Sequence, residues 1–409
     1  MNKFQTFKKL FEVKNLRILW TSESMNLIGD AFFTFAVAWI IYAETESMLY
    51  SSLIVVAMHL TNLIISPISG VITDKYNRKK IMILMTLLSS LIMFITAVAI
   101  YIIGEVTIEI AIIAVILTNI TTSFYTNARS SITPDLVGKE LFTASLGMFG
   151  IINQLSDIIG RLLAGALIVY IGSVSAVLLN SVFLLVASLI LTLITMHGTR
   201  ESSDAKIEYP NYFEMLKEGW ITIKNHPYLL SIVYITIILN MASFFFPFYP
   251  ALVYDQLEGN ALTLSMLSIA GILGGILGGL VSGNIERSIG VGKAMILSIL
   301  TGGIFIIILG LSSVLIISVL AEFFLVFALV INGVMFNAVQ SITIDAEVRG
   351  RVMGLVGVIT MVSIPFMNLI AGFIGDIVGV SVIFVASGIW TLLVVPLMAF
   401  NKKIRNAEL

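Results

Sequence analysis

Twelve apolar runs, each near the length of a bilayer-crossing helix, divide this chain at short polar breaks. They lie at roughly 16–43, 50–73, 80–103, 107–127, 141–171, 175–196, 229–254, 261–284, 293–312, 315–338, 351–376 and 379–400. A spanning helix needs about 20 mostly apolar residues, and within the hydrocarbon every backbone polar group must be bonded inside the chain. The pattern therefore predicts an all-α membrane protein of twelve transmembrane helices. Composition agrees: the sequence is 58% hydrophobic and 11% charged, against roughly 25% charged in a soluble domain.

Lysines and arginines set the expected orientation, because they collect in cytoplasmic loops. Alternate loops, both ends and a central polar stretch hold 22 of the 23 basic residues; Arg161 is the exception. The opposite loops carry only acids: Glu44, Glu46, Glu105, Glu109, Asp255, Glu258 and Asp376. Both termini and the central stretch are thus expected in the cytoplasm, with the chain a multi-pass protein of the plasma membrane; its Ile-, Lys- and Asn-rich usage points to a bacterial cell. The polar, basic stretch Met1–Lys14 lacks the small-residue cleavage site of a signal peptide.

Several function classes are set aside by the same reading. Cysteine is absent and the three histidines, His59, His197 and His226, show no metal-ligand spacing. No Walker motif is present, so ATP hydrolysis in this chain is not expected. The net charge is −1, which is silent on nucleic acid, but no basic tract exceeds three residues, so no nucleic-acid partner is expected. The expectation is a transporter and not an enzyme, a monomer being the simplest assembly, with a small-molecule substrate, protons and lipid as partners and no cofactor.

The chain reads as two six-helix halves, 1–196 and 229–409, joined by a linker at 197–228. In the linker Phe213, Leu216, Trp220 and Ile223 recur at helical spacing, which suits an amphipathic surface helix. The halves repeat one another. Asn127-Ala-Arg-Ser-Ser-Ile-Thr-Pro-Asp135 and Asn337-Ala-Val-Gln-Ser-Ile-Thr-Ile-Asp345 agree at six of nine positions, 210 residues apart. Transporters with parallel repeats place their substrate site near the midplane between them.

Ionisable groups inside spanning runs cost several kcal/mol and are functional candidates by default. Asp30 and Glu322 are the first candidates for proton coupling. Glu23, two turns from Asp30, can face the same cavity, and Asp157 and Arg161 stand i,i+4 on the fifth run, where they can pair. Asn26, Asn153, Asn240, Asn332, Phe244 and Phe248 are candidates for lining a substrate cavity. Gly271, Gly275, Gly279 and Gly283, at four-residue spacing in the eighth run, predict close helix packing or a sliding surface.

Between the second and third runs stands Gly70-Val-Ile-Thr-Asp74-Lys75-Tyr-Asn-Arg78-Lys79-Lys80. This Gly-x-x-x-Asp-Lys-x-x-Arg-Lys pattern resembles the signature loop of major facilitator superfamily transporters, with Asn77 where that family usually has glycine. Gly29-Asp30, Asn127–Leu136, the linker segment Asn211–Trp220 and Val348-Arg-Gly-Arg-Val352 extend the likeness. Together they are similar to the macrolide-efflux-like branch of the drug/proton antiporters. The resemblance implies two pseudo-symmetric six-helix bundles that rock about a central site, with protons entering as drug leaves, and so a part in antibiotic resistance; export or flipping of an endogenous siderophore or lipid, and proton-coupled import of a nutrient, are the alternative readings. It also implies that Gly70, Asp74, Lys75, Arg78 and Lys79, joined by Arg129 and Asp135, form a cytoplasmic gate. One departure stands in the fifth run, where Gly160-Arg161 replaces the antiporters' Gly-Pro.

Overall fold

The computed structural model describes residues 9–195, 220–221, 223–224, 227–343 and 346–400. Its long helices, labelled in chain order, are α1 Lys14–Thr45, α2 Met48–Lys75, α3 Arg78–Ile103, α4 Ile108–Gly138, α5 Leu141–Gly172 and α6 Val174–Thr192. Then come α7, Val233–Gln256 as a span, α8 Ala261–Ile289, α9 Val291–Leu311, α10 Leu315–Thr343, α11 Ala346–Val378 and α12 Val380–Phe400. Among the described residues eleven spans are long and apolar enough to cross a membrane, and α11 adds a shorter apolar stretch, Ser363–Val378. The architecture is the all-α, twelve-helix one expected from the apolar runs. The amphipathic linker helix lies outside the described residues except at Trp220, Ile221, Ile223 and Lys224.

Helix boundaries follow local chemistry. Asn77 caps α3, its side chain accepting from the Lys80 amide, and Asn260 caps α8 in a reciprocal box with Thr263. The chain turns from α4 to α5 and from α5 to α6 at Gly138 (φ 70°) and Gly172 (φ 77°), a region that a side chain disfavours. α7 is not a uniform helix. It opens as Pro227–Met241, tightens to a 3₁₀ segment at Ala242–Phe248, and closes through Tyr249–Ala251 and a π turn at Leu252–Gln256. Pro247 and Pro250 withhold two backbone N–H groups there, and a helix answers such losses with 3₁₀ and π adjustments.

Two compact units divide the chain: Met1–Thr45 with Ala57–Lys206, and Glu46–Val56 with Ile207–Leu409. In the first, hydroxyls tie helix to helix. Ser22 donates to the Ala187 carbonyl (2.9 Å), Ser90 to that of Ser181 (2.8 Å), and Ser89 meets Thr121 at 2.5 Å. Asn62 of α2 bonds Asn119 and Ser123 of α4. In lipid the hydrophobic effect does not drive helices together, so small residues and such bonds carry the association.

In the second unit α8 presses on α10, and α9 on α10 and α12. A Cβ on Gly274 would collide with the Phe323 carbonyl oxygen, and one on Gly278 would lie 2.6 Å from that of Phe327. The glycine spacing in α8 thus corresponds to backbone-to-backbone contact. The first turns of α2 belong to this unit. Asp376, near the end of α11, accepts from the Met48 amide (2.5 Å), the Leu49 amide (3.3 Å) and the Ser47 hydroxyl (2.9 Å).

Candidate functional site

The loop between α2 and α3 is built by its own charges. Arg78 donates to Asp135 (2.7 Å) and to the Ser131 carbonyl (3.0 Å), which ties α3 to the end of α4. Lys79 donates to the Thr192 and Ile194 carbonyls (2.9 and 2.5 Å), where a cation suits the negative end of α6. Asn77, the departure from the family's glycine, is accounted for by its capping of α3. Asp74 and Lys75 are exposed, and Gly70 has open space where a Cβ would stand. Arg129 is set apart from this group: it turns inward.

Its partner is Glu23, the acid nearest the start of α1. Glu23 is 2% exposed. One carboxylate oxygen lies 3.2 Å from Arg129 Nη1, and the other accepts from the Tyr125 phenol. Asn26 in turn hydrogen-bonds that phenol. The guanidinium lies over Phe149, 5.0 Å from the ring centre, and Trp20 meets the same ring edge-on. A charge buried in a spanning helix is tolerated when paired and hydrogen-bonded, and Glu23 is both.

Two turns along α1, Asp30 is exposed. Beside it α1 and α5 approach closely at Gly160, where a Cβ would fall 2.7 Å from both Ala31 Cβ and the Ile28 carbonyl oxygen. That approach brings the Asp157–Arg161 pair, 2.8 Å between Oδ1 and Nε, to the same seam, where Asp157 and Asp30 repel. Glycine at 160 is what α1 requires at this distance, and arginine after it supplies the ion pair. Glu23, Asp30 and Asp157 thus meet two guanidiniums, and Asp30 is the acid with no ion pair among the described residues.

The second unit holds Glu322, 6% exposed on α10. Its Oε2 accepts from the Tyr249 phenol at 2.6 Å. Among the described residues, each unit therefore shows a buried glutamate that accepts from a tyrosine: glutamate on α1 and tyrosine on α4 in the first, tyrosine on α7 and glutamate on α10 in the second. Neither Tyr125 nor Tyr249 was singled out for this role by the sequence. The available signal was a phenol in a spanning run, since a buried tyrosine hydroxyl needs a partner.

The remaining cavity candidates are placed unequally. Asn26 joins the Tyr125 cluster, Asn153 is exposed, and Asn240 and Asn332 are half-buried. Asn240 donates to the Thr236 carbonyl of its own helix (2.9 Å). Phe244 and Phe248, 7% and 0% exposed, are packed inside the second unit rather than open to a ligand. Tight packing around the 3₁₀ segment turns both rings inward, whereas Phe246 is exposed.

Long apolar helices with acids lodged among them describe a polytopic membrane protein. The chain belongs to the Major Facilitator Superfamily, whose family model matches residues 19–347. It is similar end to end to macrolide efflux protein A of Streptococcus pyogenes, 24% identical over 100% of both chains. It is 22% identical to the multidrug efflux pump Tap of Mycolicibacterium fortuitum, over 93% of this chain and 94% of that one. The staphyloferrin A transporter of Staphylococcus aureus is also 22% identical, over 95% and 97%. In fold, the chain matches the crystal structure of the nucleoside transporter NupG with a TM-score of 0.74 at 10% identity, covering 97% of this chain and 100% of that one.

Proposed function

We propose that this protein exports amphipathic small molecules, macrolides among them, in exchange for protons. Asp30 carries the reading. It is an exposed carboxyl on a spanning helix, beside one ion pair and two turns from another, with no cation of its own among the described residues. Such a group is neutralised by a proton or by a cationic substrate, and competition between the two is the physics of antiport. Glu322 serves as a second proton-carrying group in the C-terminal half, and Glu23 with Arg129, like Asp157 with Arg161, tunes the field around Asp30. The names of the macrolide and multidrug efflux relatives support the choice of cargo.

In this reading, halves at 1–196 and 229–409 alternate access around a central site, with the 197–228 linker and both termini in the cytoplasm of a bacterium and a monomer as the working unit. Gly70, Asp74, Lys75, Arg78, Lys79 and Asp135 act at the cytoplasmic gate. A macrolide and dye resistance panel in an efflux-deficient strain, with and without a proton uncoupler, is the test. Lower accumulation that the uncoupler abolishes is expected. Accumulation above that of the empty strain would mean import and end the proposal. The staphyloferrin A transporter among the relatives favours a second reading, export of a siderophore; it predicts resistance unchanged and siderophore retained in cells lacking the protein.

A further inference from the structure

Glu322 is approached from two other helices. From α7 comes the Tyr249 phenol, at the junction between the 3₁₀ segment and the π turn. The ring of Tyr249 is itself wedged, edge-on to Phe384 at 5.5 Å and tilted against Phe245 at 6.0 Å. From α8 comes Gly271. A Cβ there would stand 2.7 Å from Glu322 Oε1, 3.4 Å from its Cγ and 3.0 Å from Val326 Cγ2.

Gly271 differs in kind from its neighbours in the same stripe. Gly274 and Gly278 lie against backbone carbonyls of α10, which cannot step aside, so they set how closely the two helices pack. Gly271 lies against the end of a side chain that can turn. Filling that space would displace the Glu322 carboxyl while the helices keep their distance.

We propose that Tyr249 and Gly271 are positioning residues for Glu322. The phenol O–H fixes Oε2, and the missing side chain at 271 leaves the space that Oε1 occupies. The inference deepens the coupling role given to Glu322 and rests on that role only for what the held carboxyl does; the orientation itself is testable without substrate.

Infrared difference spectroscopy of the purified full-length protein, titrated from acid to alkaline pH, provides the test. Bands lost in Glu322→Gln belong to the Glu322 carboxyl, as a C=O stretch when protonated and as carboxylate stretches when ionised. Tyr249→Phe removes only the hydroxyl and should move these bands, the C=O stretch to higher frequency. Gly271→Ala should move them too. Gly275→Ala, whose Cβ would meet only Val326 and Val330 methyls at 3.4 and 3.3 Å, should leave them in place. Unmoved bands in both Tyr249→Phe and Gly271→Ala overturn the inference, as does an equal shift in Gly275→Ala. Bands that stay ionised throughout the titration would instead remove the coupling role, with the positioning still read from the carboxylate stretches.

Discussion

Arg129 on α4 and Glu23 on α1 form an ion pair inside the first unit, 3.2 Å between Nη1 and Oε1, with the guanidinium stacked over Phe149. The pair joins two helices, with the carboxylate buried and the guanidinium largely so. Its two members are unequal in consequence, because whichever remains after the other is removed is a charge without its counterion.

Arg129→Ala should therefore destabilise the protein by about 3–5 kcal/mol, the usual result of orphaning a buried charge. The double change Glu23→Gln with Arg129→Ala should recover part of that loss. Thermal unfolding in detergent of the two single variants and the double measures it, and a double variant no better than Arg129→Ala would show that the pair is not coupled.

Asp30→Asn should behave in the opposite way. The side chain is exposed, so its folding stability should stay within roughly 0.5 kcal/mol of the parent. Macrolide accumulation, however, should lose its sensitivity to a proton uncoupler. Uncoupler-sensitive export at the parental rate would remove Asp30 from the coupling scheme.

Along α8, alanine substitution should sort glycines by what they touch. Gly274→Ala drives a methyl into the Phe323 carbonyl and forces α8 from α10; overpacking of this kind costs about 1–3 kcal/mol. At Gly283 an added methyl would meet nothing within 4 Å, so Gly283→Ala should be neutral or slightly stabilising. Melting temperatures of the two variants provide the comparison.

Asn77→Ala should cost about 1 kcal/mol through loss of the α3 cap, and Asn77→Gly only a few tenths. Chemical denaturation of the two variants distinguishes them. Equal losses would mean that the side-chain bond to the Lys80 amide contributes little.

The spans were legible because a bilayer fixes the length of an apolar run, and the loop ends because asparagine, glycine and proline act locally. What lay beyond reading was pairing at a distance. Tyr125 is 102 residues from Glu23, and Tyr249 is 73 from Glu322; each looked like one more aromatic in an apolar run. Arg129 sits in a repeated motif near a polar loop, which suggested the gate, but the helical turn it occupies points it at α1. The four-residue glycine spacing showed that α8 would be approached closely. It could not show that Gly274 meets backbone and Gly271 a carboxyl, since that depends on the rotation of α10. Phe244 and Phe248 looked available to a ligand because a sequence does not show which rings of a broken helix turn inward.

The Met48 amide that opens α2 finds its acceptor on Asp376, 328 residues further along the chain. The start of the second span can therefore be closed only after the chain as far as α11 has been made. Until then the Met48 and Leu49 amides have only water or headgroups to satisfy them, so a product cut short before α11 would carry two open donors at the start of one of its earliest helices.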